Sequence, residues 1–360
     1  MQLRIPGPTP CPPEVLEAMG KQMINHRGGQ FGDMLKRVTG KMKQLYQTEN
    51  DLYVLAGSGT GGLEAAVVNM LSPGDKVLSA SNGVFGKRFA DIAEAYGADV
   101  TRLQFEWGKP VDPDGVRIAL KSDPEIKAVL LTQNETSTGV TSDVKTIAAV
   151  INEFDKLIIV DAISSMGCID FQVDAWKCDV VVTGSQKGWM VPPGLAMVSV
   201  SERGWKAHAQ AKMPRFYWDF TKCKSYFEKG QTPWTPAISI VYAIDVSLDM
   251  MLKEGLSNIF ARHAKLGDMT RKGVKSLGLS LFPADERYAS NTVTAVNGSE
   301  KVNAPKLQQV LREEFKVVVS GGQGDLTGKI FRIGHLGWVT EADIKETLGA
   351  IGKALPKVSA

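Results

Sequence analysis

Two residues that could carry chemistry, an aspartate and a lysine, come at or after the ends of two apolar runs of the sequence. Asp161 ends the run L-I-I-V-D, and Lys187 follows the run V-V-V-T by a few residues. A lysine amine that is partly removed from water can form a Schiff base with an aldehyde, and an aspartate can keep a pyridinium nitrogen protonated. These two residues alone are equally compatible with a structural ion pair and with a cofactor site, so the distinction depends on other residues.

A glycine-rich segment, G-S-G-T-G-G at 57–62, lies between a predicted strand and a predicted amphipathic helix. Glycines let the backbone approach a ligand closely, and the free N–H groups at a helix start suit a phosphate. A tight turn with a helix cap is one alternative. A dinucleotide site is another, because Gly57, Gly59 and Gly62 satisfy G-x-G-x-x-G with Asp75 as a loosely placed acidic residue. A phosphate cradle, a lysine and an aspartate are together the minimum equipment for binding pyridoxal phosphate.

Arg332 stands inside the apolar run K-I-F-R-I-G, on a predicted strand. An unpaired buried charge is costly, so this guanidinium needs a partner. Its fork of N–H groups could bind a substrate carboxylate through two bonds. A structural ion pair and a strand end that faces water are the alternatives.

Apolar strands alternate with helical patterns through the first two thirds of the chain. Strands are predicted at 51–56, 76–80, 99–104, 127–132, 156–161, 179–183 and 195–200. Runs such as K-A-V-L-L are apolar without alternation, which is typical of strands buried on both faces. The pattern predicts an α/β fold with a mainly parallel sheet, whose carboxyl strand ends would hold the ligand. Beyond a long helix near 236–254 the pattern changes to that of a smaller α+β unit.

Composition excludes several classes of protein. The chain has 360 residues, of which 43% are hydrophobic and 22% charged, with a net charge of +3, so neither disorder nor nucleic-acid binding is indicated. No apolar stretch could span a membrane, and no signal peptide is recognisable. The four histidines share no metal-ligand spacing, and the four cysteines form no C-x-x-C pair, so no metal site is expected. We expect a cytoplasmic protein.

The order of motifs along the chain resembles that of class V aminotransferases. The motifs are G-P-T-P, N-H-R-G-G-Q-F, G-S-G-T-G-G-L-E-A, N-G-V-F-G-K-R, N-E-T-S-T-G-V, V-D-A-I-S-S-M-G, G-S-Q-K-G-W-M-V-P-P-G-L, T-P-W-T-P and R-I-G-H-L-G. Within the family the sequence is most similar to alanine–glyoxylate and serine–glyoxylate (serine–pyruvate) aminotransferases. The blocks around Asp161 and Lys187 are spaced as in the family, which favours a Schiff-base lysine over an ion pair.

The resemblance implies roles around the cofactor ring and the substrate. Lys187 would be the Schiff-base lysine and the general acid and base, and Asp161 would pair with the pyridine nitrogen. Phe85 would stack on the ring, and Thr136 would lie near the ring's 3-hydroxyl. Arg332 would bind the α-carboxylate of the substrate.

The resemblance also implies how the cofactor phosphate is held. Ser58, Gly59, Thr60 and Gln186 would bind it within one subunit, and Thr235 would reach it from the other subunit. Members of the family are dimers with active sites at the subunit interface, so we expect a homodimer.

The fold implied by the resemblance is the fold type I of pyridoxal phosphate (PLP) enzymes. A large domain with a mainly parallel seven-stranded sheet would span 18–256, and a smaller α+β C-terminal domain would combine 257–360 with 1–17. The implied reaction is ping-pong transamination. A small amino acid, alanine or serine, would give its amino group to glyoxylate or another small 2-oxo acid.

Other functions stay open at this point. A PLP-dependent lyase, or an aminotransferase of another small amine such as an aminophosphonate, is the first alternative. A desulfurase would need a cysteine beyond Cys223, and there is none. A nicotinamide-dependent oxidoreductase leaves Lys187 unexplained, and a silent binding protein leaves both Lys187 and Asp161 unexplained. Whether His26 or His335 contacts the substrate is also open.

Overall fold

A computed structural model describes residues 1–298 and 302–358 of the chain. The strands in this part are β1 Gln2–Arg4, β2 Asp51–Gly57, β3 Lys76–Ser81, β4 Asp99–Gln104, β5 Ala128–Thr132, β6 Asn134–Glu135, β7 Val140–Thr141, β8 Leu157–Asp161, β9 Val180–Gly184, β10 Gly194–Val200, β11 Val293–Asn297, β12 Val317–Gly321 and β13 Ile330–Gly334. The helices are α1 Pro13–Met19, α2 Gly29–Tyr46, α3 Gly59–Met70, α4 Val84–Ala95, α5 Pro113–Ser122, α6 Val144–Glu153, α7 Glu202–His208, α8 Phe220–Glu228, α9 Ile238–Glu254, α10 Leu256–Ser276, α11 Ala304–Glu314 and α12 Glu341–Ala354. Short 3₁₀ turns lie at Glu286–Tyr288, Gly324–Leu326 and Leu355–Lys357.

The larger sheet has seven strands in the order β2-β10-β9-β8-β5-β3-β4. Strands β9, β8, β5, β3 and β4 run parallel, and β10 is antiparallel to both of its neighbours. The predicted mainly parallel seven-stranded α/β sheet is therefore confirmed. Because the strands are parallel, the carboxyl ends of β8 and β9 lie at the same edge of the sheet, where Asp161 is paired in register with Val182.

Helices cover both faces of this sheet, and the strand side chains divide between them. On β5, Val129 and Leu131 join the core packed with α5 and α6, whereas Ala128 and Leu130 join the core packed with α3 and α4. This alternation follows from the two-residue period of a strand. A strand enclosed in this way is apolar at every position, which explains the continuous apolar runs in the sequence.

Helix α2 was not predicted from the sequence. It spans 18 residues, and its buried face repeats at helical spacing through Phe31, Met34, Leu35 and Val38. The helix begins at Gly29, inside the motif N-H-R-G-G-Q-F. Its apolar face packs into the core beneath the sheet, next to α9.

The smaller sheet has four strands in the order β1-β12-β13-β11. Strand β1, from the start of the chain, runs parallel to β12 and thereby joins the C-terminal strands. This pairing involves only Gln2–Arg4, whereas Val15 on α1 packs into the core beneath the large sheet, next to α9. The domain boundaries stay a prediction. Across the described residues, no helix combines the length and the apolar character that crossing a membrane requires.

Candidate active site

A cavity lies at the carboxyl ends of the large-sheet strands. Most of the residues predicted from the sequence line it together, namely Ser58, Gly59, Thr60, Phe85, Thr136, Asp161, Gln186 and Lys187. These residues come from segments more than a hundred positions apart. The topology brings them together because each follows or flanks a strand of one parallel sheet.

The Lys187 amine is held against the N-terminal segment. Its Nζ donates a hydrogen bond of 2.6 Å to the carbonyl oxygen of Pro6. Gly7 has a φ of +138°, and a Cβ at this position would lie 2.6 Å from Nζ, so the backbone passes the lysine more closely than a larger residue would allow. Burial, together with the nearby positive charges of Arg332 and Arg88, lowers the pKa of Lys187 to about 8, while the negative charge of Asp161 opposes this shift. A larger fraction of the amine is therefore neutral, and nucleophilic, near physiological pH.

Asp161 is the last residue of β8 and is buried. One carboxylate oxygen accepts a hydrogen bond of 2.8 Å from the Ile163 backbone N–H. Burial, together with the nearby negative charge of Glu135, raises the pKa of Asp161 to about 7, while the Ile163 N–H and Lys187 oppose this shift. Across the described residues, no lysine or arginine nitrogen lies within 4.0 Å of this carboxylate. The structural ion pair that the sequence left open is thus not formed.

The glycine-rich segment forms a cradle at the start of α3. Ser58 precedes the helix in an extended conformation and its side chain makes no capping hydrogen bond. A Cβ on Gly59 would lie 2.5 Å from the Ile163 side chain, so a larger residue at this position would force that side chain to shift. The side-chain oxygen of Gln186 is buried without a hydrogen-bond partner among the described residues. The free N–H groups at the start of α3 fit an anionic ligand. The unpaired atom of Gln186 is an acceptor, so Gln186 would contact an anion only through the NH2 group of its side chain.

Arg332 lies beside the cavity rather than in its lining. Its Nη1 donates to the Thr136 carbonyl at 2.9 Å and to Gln323 Oε1 at 3.3 Å, and its Nε donates to the Gly321 carbonyl at 2.8 Å. Burial lowers the pKa of Arg332 to about 10, while the negative charge of Glu135 raises it. Counting only residues that the structure describes, no carboxylate lies within 4.0 Å of this guanidinium. A buried cation that is bound only by neutral acceptors fits a carboxylate ligand.

Thr235 does not line the cavity formed by its own chain. It is exposed and borders a second, apolar hollow, which Trp218 and Trp234 also line. Its predicted contact with the phosphate requires a second subunit and stays a prediction.

The sequence analysis missed Arg88, which lines the cavity. Its guanidinium carbon lies 4.8 Å from the centre of the Phe85 ring, one helical turn earlier on α4. The signal was present in the motif N-G-V-F-G-K-R, since residues three apart share a helix face. Within 1–298 and 302–358, no carboxylate lies within 4.0 Å of Arg88.

The histidines left open by the sequence do not line the cavity. His335 is fully buried, with its ring nitrogens 2.9 Å from Thr294 Oγ1 and 3.1 Å from the Asn291 carbonyl. This is a structural bonding pattern in the smaller sheet. In the part of the chain that the structure describes, no group of three or more histidine, cysteine, aspartate or glutamate side chains is arranged to hold a metal ion.

The chain is similar in sequence and in structure to known proteins. A family model described as "Aminotransferase class-V" matches residues 3–331. The soluble hydrogenase 42 kDa subunit of Anabaena cylindrica is 44% identical, over 98% of this chain and 92% of that protein. The serine–glyoxylate aminotransferase of Methylorubrum extorquens is 36% identical, over 98% of this chain and 89% of that protein. The crystal structure of an alanine–glyoxylate aminotransferase from Nostoc sp. superposes with a TM-score of 0.94 at 30% identity, covering 98% of this chain and 94% of that chain.

Proposed function

The chain belongs to the class V aminotransferase family, and we propose that it moves the amino group of a small amino acid, alanine or serine, to glyoxylate or another small 2-oxo acid. The family assignment makes it a pyridoxal phosphate-dependent aminotransferase. The proposal rests on one observation, the cavity at the carboxyl ends of the strands. Lys187 and Asp161 line it, and Arg332, which has no acidic partner among the described residues, lies beside it. Relatives named for serine–glyoxylate and alanine–glyoxylate transfer support the choice of substrates.

The residues around the cavity fit pyridoxal phosphate. The first turn of α3, with Ser58, Gly59 and Thr60, would hold its phosphate, and Gln186 would contribute the NH2 group of its side chain. Phe85 would stack on the ring. When bound, the cofactor supplies an aldehyde that takes up the amino group and a conjugated ring that stabilises negative charge at the substrate α-carbon.

The remaining side chains bind the substrate and move its proton. Arg332 would orient the α-carboxylate through its charged fork. The Lys187 Nζ, with its pKa lowered to about 8, would take the proton from the substrate Cα, because a base works best when its pKa lies near the working pH. Asp161, which would be ionised beside a positively charged ring nitrogen, would keep that nitrogen protonated.

The same proposal includes a homodimer. Thr235 would reach the phosphate of the neighbouring subunit, which is consistent with its exposed position beside an apolar hollow. Cytoplasmic location stays a prediction from the sequence.

A panel of half-reactions tests the substrate choice. The purified enzyme with bound PLP is mixed with single amino acids, and the visible absorbance of the bound cofactor is followed. Alanine and serine should bleach the band fastest, and glyoxylate should then restore it. Faster bleaching by 2-aminoethylphosphonate would favour the aminophosphonate alternative. Release of pyruvate and ammonia from serine, without bleaching, would favour a lyase.

Replacing Arg332 should mainly weaken binding of carboxylate substrates. We expect Arg332→Gln to raise KM for both the amino acid and the oxo acid at least 30-fold, corresponding to the loss of about 2–5 kcal/mol when one partner of a buried charge pair is removed. Steady-state kinetics with both substrates measure this effect. Arg271→Gln is a matched control, because Arg271 is also partly buried but donates to Ser290 and Asn291 outside the cavity. An unchanged KM for both substrates would contradict the role of Arg332.

A further inference from the structure

Glu135 is a fully buried carboxylate with no role in the proposed chemistry. It lies on the short strand β6, directly before Thr136. One of its oxygens accepts hydrogen bonds from the backbone N–H groups of Phe85 at 2.9 Å and Gly86 at 3.0 Å. The other accepts the backbone N–H of Ser137 at 3.0 Å and the Ser137 hydroxyl at 2.5 Å.

This carboxylate is not held by an ion pair. In the described residues, no lysine or arginine nitrogen lies within 4.0 Å of it. Burying a charge is costly unless hydrogen bonds satisfy it, and here four donors from two separate segments do so. Two of these donors belong to the first turn of α4, where the helix dipole also favours a negative charge. The Glu135 side chain therefore ties the start of α4 to the loop that follows β6.

The two tied segments carry groups that border the cavity. The first turn of α4 carries Phe85, and the loop carries Thr136. The Thr136 carbonyl in turn accepts the 2.9 Å hydrogen bond from Arg332. Through these hydrogen bonds the Glu135 carboxylate links the segment that carries Phe85 to the segment that carries Thr136, and Thr136 in turn contacts Arg332. The Gly83 backbone lies close to the Glu135 side chain, because a Cβ on Gly83 would collide with it.

We propose that Glu135 is a positioning residue of the cofactor site, whose carboxylate sets the place of the Phe85 ring relative to Thr136 and, through the Thr136 carbonyl, to Arg332. The inference rests on the proposed function, since it assumes that PLP occupies this cavity. It concerns hydrogen-bond acceptance rather than chemistry at the substrate. Losing an acceptor should therefore loosen the cofactor contacts even where the fold survives.

The test compares Glu135→Gln with the wild type. The amide nitrogen would present a donor where an oxygen now accepts. Either the Phe85 and Gly86 N–H groups or the N–H and hydroxyl of Ser137 would therefore lose their acceptor. We expect the dissociation constant of PLP, measured by titrating the apoprotein, to rise about tenfold or more. The circular dichroism of the cofactor's visible band should change as well, because the stacking geometry of Phe85 would be less defined.

Asp179→Asn is the matched control. Asp179 is also buried and accepts the Ile158 backbone N–H at 2.8 Å and the Ser201 hydroxyl at 2.8 Å. Unlike Glu135 it also pairs with Arg203 at 2.6 Å, and it lies outside the cavity. This variant should lower the thermal stability of the apoprotein while leaving the PLP dissociation constant and the dichroic band unchanged. If Glu135→Gln behaves in the same way as Asp179→Asn, the inference is wrong and Glu135 only stabilises the fold.

A milder variant covers the case in which Glu135→Gln does not fold. Ser137→Ala removes the hydroxyl that donates to Glu135 and also accepts the Val84 N–H at 3.0 Å. We expect a weakening of PLP binding of about two- to threefold with a smaller change of the dichroic band, and no change in either would overturn the inference. A wild-type protein that refuses PLP would instead overturn the proposed function, and the inference with it.

Discussion

Lys187→Ala should abolish the covalent attachment of the cofactor and nearly all turnover. The amine is the only lysine nitrogen among the residues that line the cavity in the described structure, and no neighbouring group could replace it there. Loss of a positioned acid–base group costs roughly 10²–10⁴-fold in rate, and the loss of the covalent link adds to this. The measurements are the visible spectrum of the purified variant with PLP, mass spectrometry after borohydride reduction, and turnover.

A control variant and a rescue experiment accompany the Lys187→Ala variant. Lys206→Ala is a suitable control, because this lysine is exposed on α7 and, among the described residues, forms an ion pair only with Glu202 at 2.9 Å. A small amine such as methylamine, added to Lys187→Ala, should restore part of the turnover by acting as a proton acceptor. Normal activity of the purified Lys187→Ala protein would show that the mechanism is wrong.

Asp161→Asn should combine a large loss of activity with a gain in apoprotein stability. The amide is nearly isosteric and can still accept the Ile163 N–H, but it cannot stabilise a positive charge on the ring nitrogen. Removing a preorganised charged group of this kind lowers kcat by roughly 10²–10³-fold. We expect that loss in kcat together with weaker PLP binding.

The stability effect follows from the sign of the pKa shift. Burial raises the pKa of Asp161 to about 7, above its value in the unfolded chain, so the folded apoprotein holds this proton more tightly than the unfolded chain does. The ionised carboxylate therefore costs stability, and this cost develops as the pH rises from about 4 to about 7. Thermal unfolding at pH 8 should show the Asp161→Asn apoprotein to be at least as stable as the wild type, with a smaller difference at pH 5. A variant that loses stability and retains kcat would contradict both expectations.

Much of the large sheet could be predicted from local patterns. The apolar runs that predict strands at 99–104, 127–132 and 156–161 correspond to β4, β5 and β8 within one residue at each end. Strands β5 and β8 are buried at every position, so nearly every residue in them has to be apolar, and the pattern is visible without knowledge of their neighbours. Strand β4 lies at the edge of the sheet and is partly exposed. Helix α2 was not predicted, although Phe31, Met34, Leu35 and Val38 follow the helical spacing of apolar residues that the sequence already displays.

The chemical types of the site residues and their places behind strands were determined by the sequence alone, because a lysine, an aspartate and a glycine-rich helix start are local features of the chain. Only the tertiary structure decided that Arg332 has no described acidic partner, that Lys187 contacts Pro6, and that Glu135 binds the first turn of α4. Each of these depends on distances between segments remote in sequence; Glu135 and Phe85 are 50 positions apart and meet at 2.9 Å. Hydrogen bonds and charge pairing act over a few ångströms, so they become definite only when the folded sheet has set those distances.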